Sequence, residues 1–267
     1  MSLEAKEQKL LELLRGYDSI LVAFSGGVDS AYLAHMANKV LGERALSVTA
    51  FSPSVSERQK QEALDFARRH DLRHRVIETE EVENDAYRAN PSNRCYFCKN
   101  ELYTKLSGMA QEMGGPVIVD GTNADDLGDY RPGRAAAEEL SVRSPLVEAG
   151  MTKQDVRVLS RREGLETWDK PASACLSSRF PYGIHITEER LRLVDRGEEL
   201  LRNLGFRVFR VRYHEQLVRI EIAREEMSRA LTPEMADLLS EEFRTLGFKF
   251  ITLDLSGYRS GSANEVL

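Results

Sequence analysis

The sequence predicts an α/β protein: a parallel, doubly wound sheet of the kind with helices on both faces, followed by a second, smaller α/β domain. Three observations carry that expectation. Strand-length apolar runs alternate with helix-length amphipathic segments through the first half of the chain. Two of the runs, ILVAF (20–24) and PVIVDG (116–121), are apolar without alternation, as strands buried on both faces must be. Near residue 185 the pattern changes to one long helix and then closely spaced alternating strands. The expected domains are therefore residues 1–184 and 185–267.

The elements follow in order. Residues 3–16 read as a helix with Leu10, Leu13 and Leu14 on one face. The strand at 20–24 runs into SGG and then the helical VDSAYLAHMANKVLG. A strand at 45–51, a helix at 56–69, a strand at 74–78, a helix at about 97–113 and the strand at 116–121 continue the alternation. KPASACLSSRFPYG (170–183) reads as an ordered loop because it is dense in Pro, Ser and Gly. The helix at 187–205 takes Thr187 as its N-cap, with Glu188 and Glu189 at the positive end of its dipole. Strands at 207–214 and 216–223, a helix at 233–246 and a strand at 248–255 complete the second domain.

Hydrophobic residues make up 42% and charged residues 30% of the 267, the balance of a soluble globular protein. No apolar run has the length of a membrane span, and the N-terminal helix is charged, unlike a signal peptide. The expected location is the cytoplasm. A net charge of −6 argues against a nucleic-acid partner. The three cysteines, Cys95, Cys98 and Cys175, are an odd set for a disulfide framework and point to metal binding or thiol chemistry.

SGGVDS lies directly between a buried strand and a helix. Gly26 and Gly27 let the backbone turn tightly and approach a ligand. The helix start offers unpaired N–H groups and a positive dipole end, and Ser25 and Ser30 add hydroxyl donors. Asp29 is a poor neighbour for phosphate unless Mg2+ lies between them. The competing reading is a plain strand-to-helix turn with Asp29 as a helix-start residue. Neither GxxxxGK[ST] nor GxGxxG is present. RCYFCK sets Cys95 and Cys98 where both thiolates reach one metal or cluster, while Cys175 lies in ACLSSR beside Arg179, a cation that favours the thiolate. In RVFRVRYH, strand alternation puts Arg210 and Arg212 on one face, an anion fork or else a solvated face with cross-strand salt bridges.

AFSGGVDS resembles the signature of the PP-loop ATP pyrophosphatases, and DGTNADD (120–126) resembles that family's second loop. The resemblance implies ATP contacts at Ala23, Ser25, Gly26, Gly27, Val28, Asp29, Ser30 and Thr122, with Asn123, Asp125 and Asp126 near substrate or metal, the competing reading of these acids being a polar turn with a helix cap. NRCYFCKNELY, DGTNADDLGDYRPGRAA, KPASACLSSRFPYG and RVRYHEQLVRIE are together similar to one branch, the LarE-type sulfur transferases of nickel-pincer nucleotide synthesis. That likeness implies adenylation of a carboxylate on a pyridinium biscarboxylic acid mononucleotide, then replacement of AMP by sulfur. It implies either a sacrificial Cys175 or a 4Fe-4S cluster on Cys95, Cys98 and Cys175, the form this three-cysteine sequence matches. It further implies Arg210 and Arg212 as ligands of the substrate phosphate, Glu198 and Glu221 as candidates for a metal or the pyridinium ring, and a homo-oligomer, a hexamer.

Rival readings predict different behaviour. A tRNA thiolase would bind tRNA in a salt-sensitive way. An amide-forming ligase would work with ammonia and keep full activity without Cys175. A non-catalytic nucleotide-binding regulator would release no pyrophosphate.

Overall fold

The computed structural model describes residues 1–128, 132–171 and 174–259. In chain order the regular elements begin with α1 (Leu3–Arg15), β1 (Ile20–Ala23), α2 (Val28–Leu41), β2 (Ala45–Phe51), α3 (Glu57–Arg69) and β3 (His74–Glu78). Next come α4 (Asp85–Arg88), α5 (Arg94–Glu112), β4 (Val117–Val119), α6 (Gly133–Glu139), α7 (Pro145–Glu148) and α8 (Lys153–Arg162). The remainder is α9 (Glu188–Asn203), β5 (Phe209–His214), β6 (Leu217–Ile222), α10 (Met227–Ala230), α11 (Pro233–Thr245) and β7 (Phe250–Leu253).

Contacts divide the chain into two compact units. The first comprises 1–52, 57–81 and 93–173; the second comprises 53–56, 82–92 and everything from 174 onward. All of the 185–267 stretch thus lies in the second unit, joined there by two short segments from the first hundred residues and by the Cys175 loop.

The first unit holds a four-stranded parallel sheet in the order β3-β2-β1-β4. Strand pleating sends successive β1 side chains to opposite faces. Ile20 and Val22 pack into a cluster with Leu10 and Leu14 of α1, Leu33 of α2, Phe66 of α3 and Leu159 of α8. Leu21 and Ala23 pack on the other side with Tyr103 and Leu106 of α5 and Ala136 of α6. Both faces are covered, which is why β1 reads as an unbroken apolar run. Leu10 and Leu14 are fully buried, each burial contributing about 2 kcal/mol. Helices α6, α7 and α8 were not anticipated: α6 and α7 are too short to show a period, though Thr152 and Asp155 form a capping box that announces α8.

The second unit holds a three-stranded mixed sheet, β5-β6-β7, with β5/β6 antiparallel and β6/β7 parallel. Thr187 caps α9 through its side chain, which accepts from the Arg190 N–H at 3.3 Å. Gly197 in α9 sits so close to Phe243 of α11 that a Cβ there would fall 2.9 Å from the ring. The glycine sets how closely these two helices pack.

Candidate active site

Sheet twist and short connections bring two loops together at the C-terminal ends of β1 and β4. In the first, Gly26 has φ +70°, a conformation open to glycine, and a Cβ there would meet Ala63 of α3 at 3.1 Å. Ser30 closes the turn: its hydroxyl receives the Ser25 N–H at 3.2 Å, lies 3.0 Å from Ser25 Oγ and donates to the Gly27 carbonyl. Gly27 occupies the N-cap of α2 without a side-chain cap, so the first N–H groups of a 14-residue helix are left for an anion. Ala23 and Val28 are buried on either side and hold the loop to the core.

The second loop is packed onto the start of α2. A Cβ on Gly121 would fall 2.7 Å from Ser30 N and 2.9 Å from its Cα. Asp120 organises the turn: its carboxylate accepts from Thr122 N–H and Oγ1 (3.1 and 2.8 Å), Ser144 Oγ (2.7 Å) and Tyr103 Oη (3.0 Å). Burial, opposed by Lys99 and reinforced by Asp120, pushes the Tyr103 phenol up to about 12. Thr122 is therefore fixed through Asp120, and Asn123 and Asp126 are buried in the same turn, where Asp126 accepts from Asn123 N–H.

Asp29 stands between these loops. One carboxylate oxygen is ion-paired with Lys153, the first residue of α8. The other, Oδ1, is buried without a hydrogen-bond partner. Burial raises the Asp29 carboxyl above its ordinary range, Lys153 and the nearby Asn123 side chain, which makes no well-formed hydrogen bond to Oδ1, oppose this, and the Asp126 charge adds to it. An orphaned, buried carboxylate oxygen beside a second acid fits the hard oxygen donors that Mg2+ takes. Lys170 completes the site: its ammonium donates to the Gly26 carbonyl at 3.0 Å and pairs with Glu62 at 2.6 Å. Neither lysine was anticipated. Lys153 was signalled by the capping box, whereas Lys170 had no local signal.

The cysteines are divided between the units. Cys95, exposed, and Cys98, half-buried, lie one turn apart at the start of α5 in the first. Cys175 is in the second, at the head of the short 3-10 turn Leu176–Arg179. All three are free thiols. Among the described residues no group of three or more His, Cys, Asp or Glu is gathered as a metal site. Asp129, Tyr130 and Arg131 of the DGTNADDLGDYRPGRAA segment, and Ala172 and Ser173 before Cys175, lie outside the described residues.

The arginines and acids of the second unit are found in pairs. Arg179 donates to both oxygens of Glu198 (2.8 and 3.0 Å) and to the Ala174 and Cys175 carbonyls. Burial pushes the Arg179 guanidinium down, but Glu198 and the Cys175 thiol outweigh it and the net shift is upward. Arg212 donates to both oxygens of Glu221 (3.0 and 2.9 Å) and to the Ser178 carbonyl, while Arg219 also reaches Glu221. Glu198 and Glu221 are thus set against arginines, not against other acids. Arg210 shares a face with Arg212 but makes no ion pair among the described residues; it lies over the Tyr258 ring and donates to its neighbour's carbonyl. Burial, then Arg179, hold its guanidinium below its ordinary value. Phe180 is buried against Tyr213, as core packing of this ring requires.

Comparison with known proteins agrees with this architecture. The NAD synthase family matches residues 7–103, which carry the SGGVDS loop. Pyridinium-3,5-bisthiocarboxylic acid mononucleotide synthase of Lactiplantibacillus plantarum is 35% identical over the whole of this chain and 96% of its own length. The chain belongs to the LarE-type family of PP-loop enzymes. An uncharacterised protein of Synechocystis sp. is 45% identical over 99% of both chains, and one of Methanocaldococcus jannaschii is 30% identical over 90% of this chain and 91% of its own. The similarity to the Lactiplantibacillus plantarum synthase extends over both units. No described helix is long and apolar enough to cross a membrane.

Proposed function

We propose that this protein is an ATP-dependent sulfur transferase that converts a carboxylate of a pyridinium biscarboxylic acid mononucleotide into a thiocarboxylate for a nickel-pincer cofactor. The observation that carries the reading is the pairing of an open helix N-terminus at Gly27 with the orphaned Asp29 Oδ1, in a chain related over its full length to a synthase of that product class.

A bare carboxylate has no leaving group. Its oxygen attacks the α-phosphorus of ATP, pyrophosphate departs and an acyl adenylate forms. The α2 N–H groups, Ser25 and Ser30 hold the phosphates, and Lys153 and Lys170 add positive charge where pyrophosphate charge develops. Asp29, with Asp126, would hold Mg2+, which supplies further charge neutralisation. Arg210, which has no ion pair among the described residues, takes the mononucleotide phosphate, with Arg212 beside it. The Cys175 thiolate then attacks the acyl carbon and AMP leaves with the electron pair of the broken C–O bond. Loss of the Cys175 α-proton with cleavage of its Cβ–S bond releases the thiocarboxylate and leaves dehydroalanine.

The family also suggests a 4Fe-4S cluster on Cys95, Cys98 and Cys175. Two of the three thiols stand one turn apart on α5, as such a ligand pair requires. When bound, the cluster would supply a replaceable sulfide and spare Cys175. A cytoplasmic location and a homo-hexamer belong to the same reading, with residues 185–267 serving substrate phosphate binding and oligomer contacts.

The test combines ATP, Mg2+ and the biscarboxylic mononucleotide with anaerobically purified protein. Equal amounts of AMP, pyrophosphate and thiocarboxylate are expected, with about four irons and four sulfides per chain that disappear in Cys95→Ala/Cys98→Ala. Pyrophosphate release driven by tRNA, or amide formation from ammonia, would replace this reading with a rival. Absence of iron after reconstitution would leave the sacrificial route, seen as loss of one sulfur from the intact mass.

A further inference from the structure

We infer that Tyr87 and Asn90 are positioning residues for the sulfur-transfer half of the reaction, holding the Cys175 loop so that its thiol meets the activated carboxylate before water does. The inference rests on the proposed role of Cys175 as the attacking thiol.

The backbone at Cys175 is fixed from several directions. Its carbonyl accepts from the Ser178 N–H (3.0 Å), the Ser178 hydroxyl (2.9 Å) and Arg179 Nη1 (3.0 Å). The next N–H, that of Leu176, donates to the Ser54 carbonyl at 2.8 Å. Both sides of the 175–176 peptide are therefore bonded, and the side chain keeps essentially one rotation, about χ1. Cys175 itself remains half-buried.

The turn that carries these bonds is secured by the segment 82–92, some ninety residues earlier in the chain. Tyr87, on α4, places its hydroxyl 2.5 Å from the Ser177 hydroxyl, and both residues are buried. Asn90 donates its amide to the Pro181 carbonyl at 2.7 Å and to the Phe180 carbonyl at 3.4 Å. Its own carbonyl accepts the Gly183 N–H, and the neighbouring Arg88 carbonyl accepts the Ile186 N–H. Asn90 has φ +53°, a left-handed conformation that asparagine adopts more readily than most residues, and it is fully buried. Such an arrangement orders backbone polar groups that a loop would otherwise leave to water. It also fixes where the thiol can point. Effective concentration depends steeply on that: a displacement of about 1 Å can lower the rate of a bond-forming step on the order of a hundred-fold.

The consequence is a partition. The acyl adenylate is captured by the thiol, giving thiocarboxylate, or by water, which returns the carboxylate and AMP with no sulfur transferred. A loosened loop favours water. The readout is thiocarboxylate formed per AMP released, measured in single turnover on the full-length protein with ATP, Mg2+ and the biscarboxylic mononucleotide.

Tyr87→Phe keeps the ring in its buried site and removes the bond to Ser177. Asn90→Gly keeps the left-handed backbone and removes the two amide donors. Each is expected to lower the ratio on the order of ten-fold while AMP release stays within about two-fold of the parent. Ser177→Ala should lower it similarly, and Tyr87→Phe/Ser177→Ala no further, since both remove one bond. Cys175→Ala separates the two ideas. If it still yields thiocarboxylate, the reading of Cys175 as the attacking thiol fails. If it abolishes product while Tyr87→Phe and Asn90→Gly keep the parent ratio, the positioning role fails and the reading stands. A parallel fall in AMP and thiocarboxylate, with the ratio unchanged, would mark Tyr87 and Asn90 as structural only and overturn the inference.

Discussion

The SGGVDS loop of the first unit and the Cys175 loop of the second, to which the proposed reaction assigns phosphate binding and sulfur transfer, are built by opposite means. The phosphate loop is largely contiguous: residues 25–30 supply its glycines, hydroxyls, helix start and Asp29, and Asp29 and its distant partner Lys153 retain 18% and 33% side-chain exposure. The cysteine loop is assembled from distant segments, 53–56, 82–92 and β5–β6, and its ion pairs are buried, with Arg179 and Glu198 at 4% and 8%. A largely contiguous motif whose charges stay partly exposed suits a charged ligand that must come and go. A composite, buried frame holds one side chain still.

The sharpest way to break that comparison is to damage each loop separately. Gly121→Ala puts a methyl group within 2.7 Å of the Ser30 backbone nitrogen, where no side-chain movement relieves it. Pyrophosphate release is expected to fall by about 10²- to 10³-fold, because the phosphate loop and its neighbour part by a few tenths of an ångström or more. Cys175→Ala should do the reverse, abolishing thiocarboxylate while pyrophosphate continues to form. If Cys175→Ala also stopped pyrophosphate release, the division of labour between the loops would be wrong.

Stability separates the two loops next. Arg179→Met leaves Glu198 buried without its counter-ion, and such losses cost about 3–5 kcal/mol. Lys153→Met removes a partly solvated pair, whose contribution to stability is on the order of 1 kcal/mol or less. The urea midpoint should therefore drop clearly for Arg179→Met and little for Lys153→Met, while pyrophosphate release ranks the two in the opposite order. Equal midpoints would mean the Arg179–Glu198 pair breaks even against solvent.

The same contrast explains what could be read in advance. Sheet class, the strands at 45–51 and 74–78, and the phosphate loop were legible because each depends on a period or a contiguous motif. Asp29 was identified as a candidate for Mg2+, but its partner Lys153 lies over a hundred residues away and entered only with the fold. The arginine fork was expected from strand alternation, which does place Arg210 and Arg212 on one face. Alternation carries no information on cross-strand register, and it is register that sets Glu221 opposite Arg210, from where it takes Arg212 and Arg219 as partners. Tyr87 and Asn90 belong to no sequence motif; their contacts arise only where the chain returns past them at 177–183.

The smallest expected effect compares one histidine in each unit. His74 donates to or accepts from Thr49 Oγ1 at 2.8 Å, and burial lowers its affinity for a proton. His214 is lowered by burial first and then by Arg219 and Arg212, with Glu221 opposing. In the unfolded chain a histidine titrates near about 6.5. As pH falls below that value, the unfolded state takes up a proton that the folded state refuses, so stability declines until the lowered folded pKa is passed; well above the unfolded value neither histidine affects stability. The urea midpoint should therefore be lower at pH 5.5 than at pH 7.5, and His74→Gln and His214→Gln should each reduce the difference. Arg219→Gln should reduce it through His214, because part of that shift is electrostatic, and high salt should do the same. His74 has no such cation among its causes, so its share should persist in salt. A pH difference unchanged in the double His→Gln variant would assign it to carboxylates. A salt-insensitive His214 contribution would mean that burial alone governs both residues, removing the electrostatic distinction between the units at these positions.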